Sequence, residues 1–223
     1  MTPFDKIFKS ENHEYTIQKA PVTNTQPLYW NVDLGIGYVP KELDDNTVYG
    51  QDYWDSYRAL INTDMGKNLT KARVDIANDF NAKRDFTLDV GIGNGQFVDT
   101  FNCYGYDVNE VAVDYLIKNK KFVNPNNGAY VWQYMTMWDV IEHIDDATDI
   151  LRKTDGVILS TPIYNDMLGC IKSKHLKPNE HIWYFTVSGM IHYMEMFGFK
   201  CLYYSTVESK LGRESIGSFV FKR

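Results

Sequence analysis

The residues with the clearest chemical potential form one short run, Asp89-Val90-Gly91-Ile92-Gly93-Asn94-Gly95, followed by a second acid at Asp107. A strand that turns sharply into a helix needs glycines for positive φ and for close approach of a ligand to bare backbone. The helix N-terminus then offers free N–H groups to a carboxylate or phosphate. Asp107 closes the run Gly105-Tyr106-Asp107, sixteen residues after Gly91. Ends of neighbouring parallel strands meet at one edge of a sheet, so Asp107 is placed to accept hydrogen bonds from a ribose diol, with Val108 against the base. Steric need alone can make a strand–helix turn glycine-rich. The two flanking acids point instead to a ligand.

The glycine spacing narrows the choice. It is Gly-x-Gly-x-Gly, not the Gly-x-Gly-x-x-Gly of dinucleotide sites, and no Gly-Lys-Ser/Thr is present for a triphosphate. Asp89 would repel a pyrophosphate but suits a cationic amino group. S-adenosylmethionine carries a ribose, an adenine, an ammonium and a carboxylate, and it matches each part of the loop. A second constellation lies in Trp138-Asp139-Val140-Ile141-Glu142-His143-Ile144. On a helical turn Asp139, Glu142 and His143 would share one face and converge on an ion or a substrate.

The elements that must position these groups follow from pattern. Residues 1–47 are polar and broken by Pro3, Pro21, Pro27 and Pro40, which reads as an arm of loops and short strands anchored by Tyr29 and Trp30. Residues 48–223 form one domain that begins with helical periodicity over 49–80, interrupted near 62–67 with Gly66 as the break. Strands are expected at 86–90, up to 107, at 131–138 and at 156–161, alternating with helices at 96–101, 109–120, 145–152 and 187–197. Such alternation means a mostly parallel sheet wrapped by helices. The last two strands, 200–207 and 215–222, have no room for a crossover helix and must pair antiparallel.

Taken together, LDVGIGNGQFV, YGYDVNE, MWDVIEHIDD and ILSTP resemble the successive motifs of class I S-adenosylmethionine-dependent methyltransferases, over about 86–223. The resemblance implies an α/β, Rossmann-like, seven-stranded, mostly parallel sheet with helices on both faces and a C-terminal antiparallel hairpin. It places Asp89 near the methionine amino group, the Gly91, Gly93 and Gly95 loop under the cofactor, and Asp107 on the ribose. Met137 and Trp138 match positions that line the methionyl end. Tyr49 and Tyr53 resemble an aromatic N-terminal helix that lids the cofactor. Many members carry an acid after the third strand for the adenine amino group, where this chain has Phe122-Val123-Asn124-Pro125 and Asn124 is the substitute.

Glu142-His143, with His181 in Pro178-Asn179-Glu180-His181, further resembles a subgroup that includes ubiquinone-biosynthesis O-methyltransferases and small-RNA 2′-O-methyltransferases. There, Glu-x-x-Glu-His and a distant histidine hold a divalent metal beside the acceptor oxygen. Asp139 stands here for the first Glu. Two carboxylates and two imidazoles suit Mg²⁺, Mn²⁺, Fe²⁺ or Zn²⁺. Three readings stay open: Asp139, Glu142, His143 and His181 as metal ligands; Glu142, His143 and His181 as metal-free catalytic or orienting groups; or a structural role. His13, His175 and His192 read as ordinary residues, and Lys172, Lys174 and Lys177 as a solvated loop.

Composition bounds the rest. The 223 residues carry 23 basic and 29 acidic side chains, a formal net charge of −6, which shows no clear nucleic-acid surface. Cys103, Cys170 and Cys201 have no paired spacing, so a cytoplasmic, reducing setting is expected. Neither a signal peptide nor an apolar run long enough for a membrane span is visible. The expected partner is a small-molecule acceptor, and oligomeric state is not encoded legibly. The competing readings are a nicotinamide-dependent oxidoreductase, disfavoured by the glycine spacing and Asp89, and a non-catalytic binding or scaffold protein.

Overall fold

The computed structural model describes residues 2–9, 14–23, 26–40, 50–128 and 131–223. The chain opens with α1 (Pro3–Phe8), β1 (Ile17–Pro21), β2 (Pro27–Asn31) and β3 (Ile36–Tyr38), then α2 (Gln51–Arg58) and α3 (Asp64–Asp79). Next come β4 (Thr87–Val90), α4 (Gln96–Phe101), β5 (Tyr104–Tyr106), α5 (Glu110–Lys118) and β6 (Tyr134–Trp138). A 3₁₀ turn (Ile141–His143), α6 (Thr148–Leu151), β7 (Gly156–Pro162), α7 (Met167–Ile171) and β8 (Trp183–Phe185) follow. The chain ends with α8 (Val187–Glu195), β9 (Lys200–Ser205), α9 (Val207–Lys210) and β10 (Ile216–Lys222).

Six strands make the main sheet, in the order β5-β4-β6-β7-β10-β9. The first four are parallel, and β10 runs antiparallel to both β7 and β9. Side chains alternate across the sheet. Leu88, Val90, Met135, Met137, Val157, Leu159, Phe219 and Phe221 face one core, shared with α8. Tyr134, Trp138, Ile158 and Val220 face the other, shared with α3, α4 and α5. Helices therefore cover both faces, and the antiparallel close is present as expected.

Among the described residues the main sheet has six strands where seven were expected. The third strand is reduced to one parallel bridge, Gly105 with Phe122. Beyond it the chain leaves the sheet, because Asn124 Oδ1 accepts the Asn126 N–H at 2.8 Å and Pro125 has no N–H to give. Gly66 is also not the helix break. Thr63 caps α3, accepting the Gly66 N–H at 3.0 Å, and a Cβ at Gly66 would stand 2.1 Å from the Leu60 carbonyl oxygen.

A second, wholly antiparallel sheet was not anticipated. It has the order β1-β2-β3-β8, with Ile36 paired to Phe185 and Tyr38 to Trp183. Leu28, Trp30, Val39, Tyr164, Cys170 and Tyr184 form its own apolar cluster. This sheet fixes the segment carrying His181. No helix among the described residues is long and apolar enough to cross a membrane.

Candidate active site

The glycine turn sits at the carboxyl edge of β4, between the ends of β5 and β6. Gly91, Gly93 and Gly95 have φ of +72°, +56° and +76°, a region that glycine enters without steric penalty. A Cβ at Gly91 would stand 2.5 Å from Val140 Cγ2, whereas one at Gly93 would meet nothing within 4 Å. Gly91 thus serves packing, and Gly93 faces open space. The Gly91 N–H donates to the Tyr106 carbonyl at 2.8 Å, which locks the turn to the end of β5.

Asp89 is fully buried. Its Oδ1 accepts the Thr136 hydroxyl at 2.5 Å, and its Oδ2 has no partner among the described residues. Burial pushes this carboxyl up to about 8; the Thr136 hydrogen bond and Arg73 oppose the rise, and Asp107 adds to it. Asp107 is half-buried, and its Oδ1 accepts the Asn109 N–H at 2.9 Å. Burial raises it too, against the amides of Asn109, Gly93, Val108 and Ile92. The two acids flank the turn from neighbouring strands, since Val90 and Tyr106 are register partners.

The other expected cofactor residues scatter. Val108 is 71% exposed and free to lie against a base. Asn124 spends its carbonyl oxygen on the local turn described above. Met137 is buried in the core beside Leu159, in the strand next to that of Asp89. Trp138 lies under Arg73, whose guanidinium stands 4.8 Å from the ring, and edge-on to Phe97 at 5.3 Å. Tyr53 sits on α2, its ring 4.6 Å from Tyr57. That helix is tied to the glycine turn, with Arg58 Nη1 donating to the Asn94 carbonyl at 3.1 Å and Asn94 Nδ2 donating to the Tyr57 carbonyl at 3.2 Å. Tyr49 and His13 lie outside the described residues.

On the neighbouring stretch, Glu142, His143 and His181 each bring a ligand atom within 4.8 Å of the others. The two imidazoles meet edge to face at 4.7 Å. His143 Nδ1 lies 2.8 Å from the Glu180 carbonyl oxygen, so Nδ1 carries the hydrogen and Nε2 keeps its lone pair. Burial holds His143 below its ordinary value. His181 falls to about 3, chiefly through burial, with the Lys177 cation adding. Both rings are neutral near pH 7. Glu142 is buried, with neither oxygen accepting a hydrogen bond among the described residues, and burial raises it well above the carboxylate range.

Asp139, expected as a fourth ligand, is not among the three whose ligand atoms meet within 4.8 Å, and its Oδ1 is buried with no hydrogen-bond partner among the described residues. Its φ of +57° is left-handed, so the chain does not run as one helical turn through residues 139–143. Its Oδ2 lies 2.7 Å from Arg213 Nη1 and 3.5 Å from Arg73 Nη2. Thr136, Arg73, Glu208 and Arg213 were missed by sequence reasoning. Thr136 is readable as the middle residue of a strand, but the arginines and Glu208 meet only across widely separated elements.

A turn of this kind, in a mostly parallel α/β sheet that closes antiparallel, defines a group-transfer domain for an aminoacyl-nucleoside-like ligand. Residues 61–204 match the methyltransferase domain family, and the chain belongs to it. No curated protein sequence matches. Among solved structures, magnesium protoporphyrin IX methyltransferase from Synechocystis PCC 6803 with bound S-adenosylmethionine aligns at a TM-score of 0.55 and 14% identity, covering 82% of this chain and 99% of that one. Burkholderia thailandensis 1,6-didemethyltoxoflavin-N1-methyltransferase, with 1,6-didemethyltoxoflavin and S-adenosylhomocysteine, aligns at 0.55 and 12%, covering 92% and 99%. An S-adenosylmethionine-dependent methyltransferase from Clostridium acetobutylicum ATCC 824 aligns at 0.54 and 11%, covering 77% and 97%. At such identities the likeness is one of fold.

Proposed function

We propose that this chain transfers a methyl group from S-adenosylmethionine to an oxygen, or a nitrogen, of a small-molecule acceptor. The carrying observation is the turn with three left-handed glycines, flanked by Asp89 and Asp107, in a chain of the methyltransferase domain family. The residues fit the ligand. Gly93 leaves open space, and the unpartnered Asp89 Oδ2 suits an ammonium. Asp107 suits the ribose diol. Bound S-adenosylmethionine supplies an electrophilic methyl whose leaving group needs no acid, so the protein's work is positioning and exclusion of water.

Glu142, His143 and His181 form the acceptor side in this reading. His143 Nε2 takes the proton from the acceptor, with Glu180 holding the ring through Nδ1. The same three side chains fit a divalent ion, which supplies Lewis acidity to an acceptor hydroxyl. That fit supports the narrower likeness to the ubiquinone-biosynthesis O-methyltransferase subgroup, with three protein ligands rather than four. The catalytic unit is residues 48–223, with 1–47 as an arm whose strand β3 pairs with β8. The unpaired Cys103, Cys170 and Cys201 favour a reducing compartment such as the cytoplasm.

Calorimetry with S-adenosylmethionine, S-adenosylhomocysteine and reduced nicotinamide cofactor tests the donor. Transfer of labelled methyl into fractionated metabolites tests catalysis. A chain that ignores both sulfonium and thioether nucleosides at millimolar concentration ends the proposal; binding without transfer favours a scaffold.

A further inference from the structure

We propose that Arg213 and Arg73 are positioning residues for the aminoacyl end of the cofactor, acting through Asp139; this rests on the reading above. Asp139 is the first residue beyond β6 and holds a left-handed φ of +57°. Asp enters this region more readily than most residues with a side chain, yet still less freely than Gly, so contacts that hold the carboxylate also hold the backbone. From Asp139 the chain passes to Val140, the side chain packed on Gly91, and then into the turn carrying Glu142 and His143. One dihedral thus aims both the wall of the glycine turn and the acceptor-side groups.

Two guanidiniums hold that dihedral. Arg213 Nη1 lies 2.7 Å and Arg73 Nη2 3.5 Å from Asp139 Oδ2. The same pair grips Glu208, which is 0% exposed: Arg73 donates from Nε at 2.8 Å and Nη2 at 3.0 Å, and Arg213 from Nη1 at 2.6 Å. The network is charge-balanced, two cations against two carboxylates, and joins α3, the end of β6, α9 and the segment after it. Exposed ion pairs do little, but these groups are mostly buried, and removing one member strands another in low dielectric. A network that only glued α9 to α3 would have no need of Asp139, since Glu208 alone occupies both arginines.

Calorimetry of adenosine against S-adenosylhomocysteine separates positioning from general stability. Adenosine engages the Asp107 side alone, whereas S-adenosylhomocysteine also reaches the side walled by Val140. Asp139→Gly keeps a left-handed backbone without strain while cutting the tether. It is expected to weaken S-adenosylhomocysteine about tenfold or more, the scale of a lost charge-assisted contact, and to leave adenosine within about twofold. Arg213→Met shows the same split, and Arg213→Lys recovers part of the lost affinity by restoring the charge. Melting curves confirm folding, and the Arg213 pair carries the test should Asp139→Gly not fold. Equal weakening of both ligands, or no change in either, overturns the proposal while the methyltransferase reading stands. A wild-type chain that binds neither ligand overturns both.

Discussion

The Thr136 hydroxyl donates to Asp89 Oδ1 at 2.5 Å, and Asp89 Oδ2 is buried without a donor among the described residues. A half-satisfied carboxylate beneath a glycine turn is a poor structural device, because an unpaired buried acceptor is destabilising. It makes sense as a receptor for a cation.

That relationship gives a pH signature. Burial above all lifts the folded carboxyl to about 8 from an ordinary value of 3.8. The folded, ligand-free protein then keeps a proton that the unfolded chain has released, so the stabilising contribution is lost as pH rises toward about 8. Denaturant midpoints are expected to fall across that window, and Asp89→Asn to remove this part of the slope. An ammonium arriving at Oδ2 favours the ionised form, so S-adenosylhomocysteine binding near pH 7 should expel a proton. Calorimetry in buffers of different ionisation heat reads that proton directly.

Gly91 and Gly93 should fail differently when mutated. Gly91→Ala adds a clash with Val140 to an unfavourable φ, and a loss of about 2–4 kcal/mol of stability is expected. Gly93→Ala has room for its methyl, so only the backbone penalty of about 1–2 kcal/mol applies. Its methyl nevertheless enters the space left for a ligand, so S-adenosylhomocysteine affinity should drop more than stability does. Urea melts and calorimetry of the two variants compare these losses.

Asp107→Ala should weaken adenosine and S-adenosylhomocysteine alike, by about 1.5–3 kcal/mol for hydrogen bonds to a charged group. A variant that hurts only S-adenosylhomocysteine would show that the ribose is held elsewhere.

The metal reading predicts that Mn²⁺ or Zn²⁺ binds at one equivalent and that Glu142→Gln, His143→Gln and His181→Gln each weaken it strongly. Asp139→Asn should weaken metal binding less than these, because Asp139 Oδ2 is held by Arg213 and Arg73 and the carboxylate is not among the side chains whose ligand atoms meet. Transfer activity that survives chelation, with no metal in the purified protein, leaves His143 as a metal-free base.

Much of this was legible because it is local. Glycine spacing, two acids at strand ends and an apolar run feeding a turn are features that neighbouring residues impose on one another, so Asp89, the Gly91–Gly95 turn and Asp107 fell where pattern placed them. The alternation of strand and helix likewise implied the parallel sheet, and the short link between its last two strands implied their antiparallel pairing.

What the tertiary structure alone decided are the relations between distant segments. Spacing put Asp139 on one helical face with Glu142 and His143, yet a left-handed backbone breaks that turn and two arginines from remote elements hold its Oδ2. The three residues of β8 have no periodicity of their own; pairing with Tyr38, Gly37 and Ile36 makes them a strand, and the Ile182 N–H donating to the Glu142 carbonyl helps bring His181 to His143. A missing third strand was hidden for the opposite reason, since an apolar Phe122-Val123 looks like a strand until Asn124 and Pro125 end it. Local sequence sets what the backbone prefers; long-range pairing and burial determine which side chains meet.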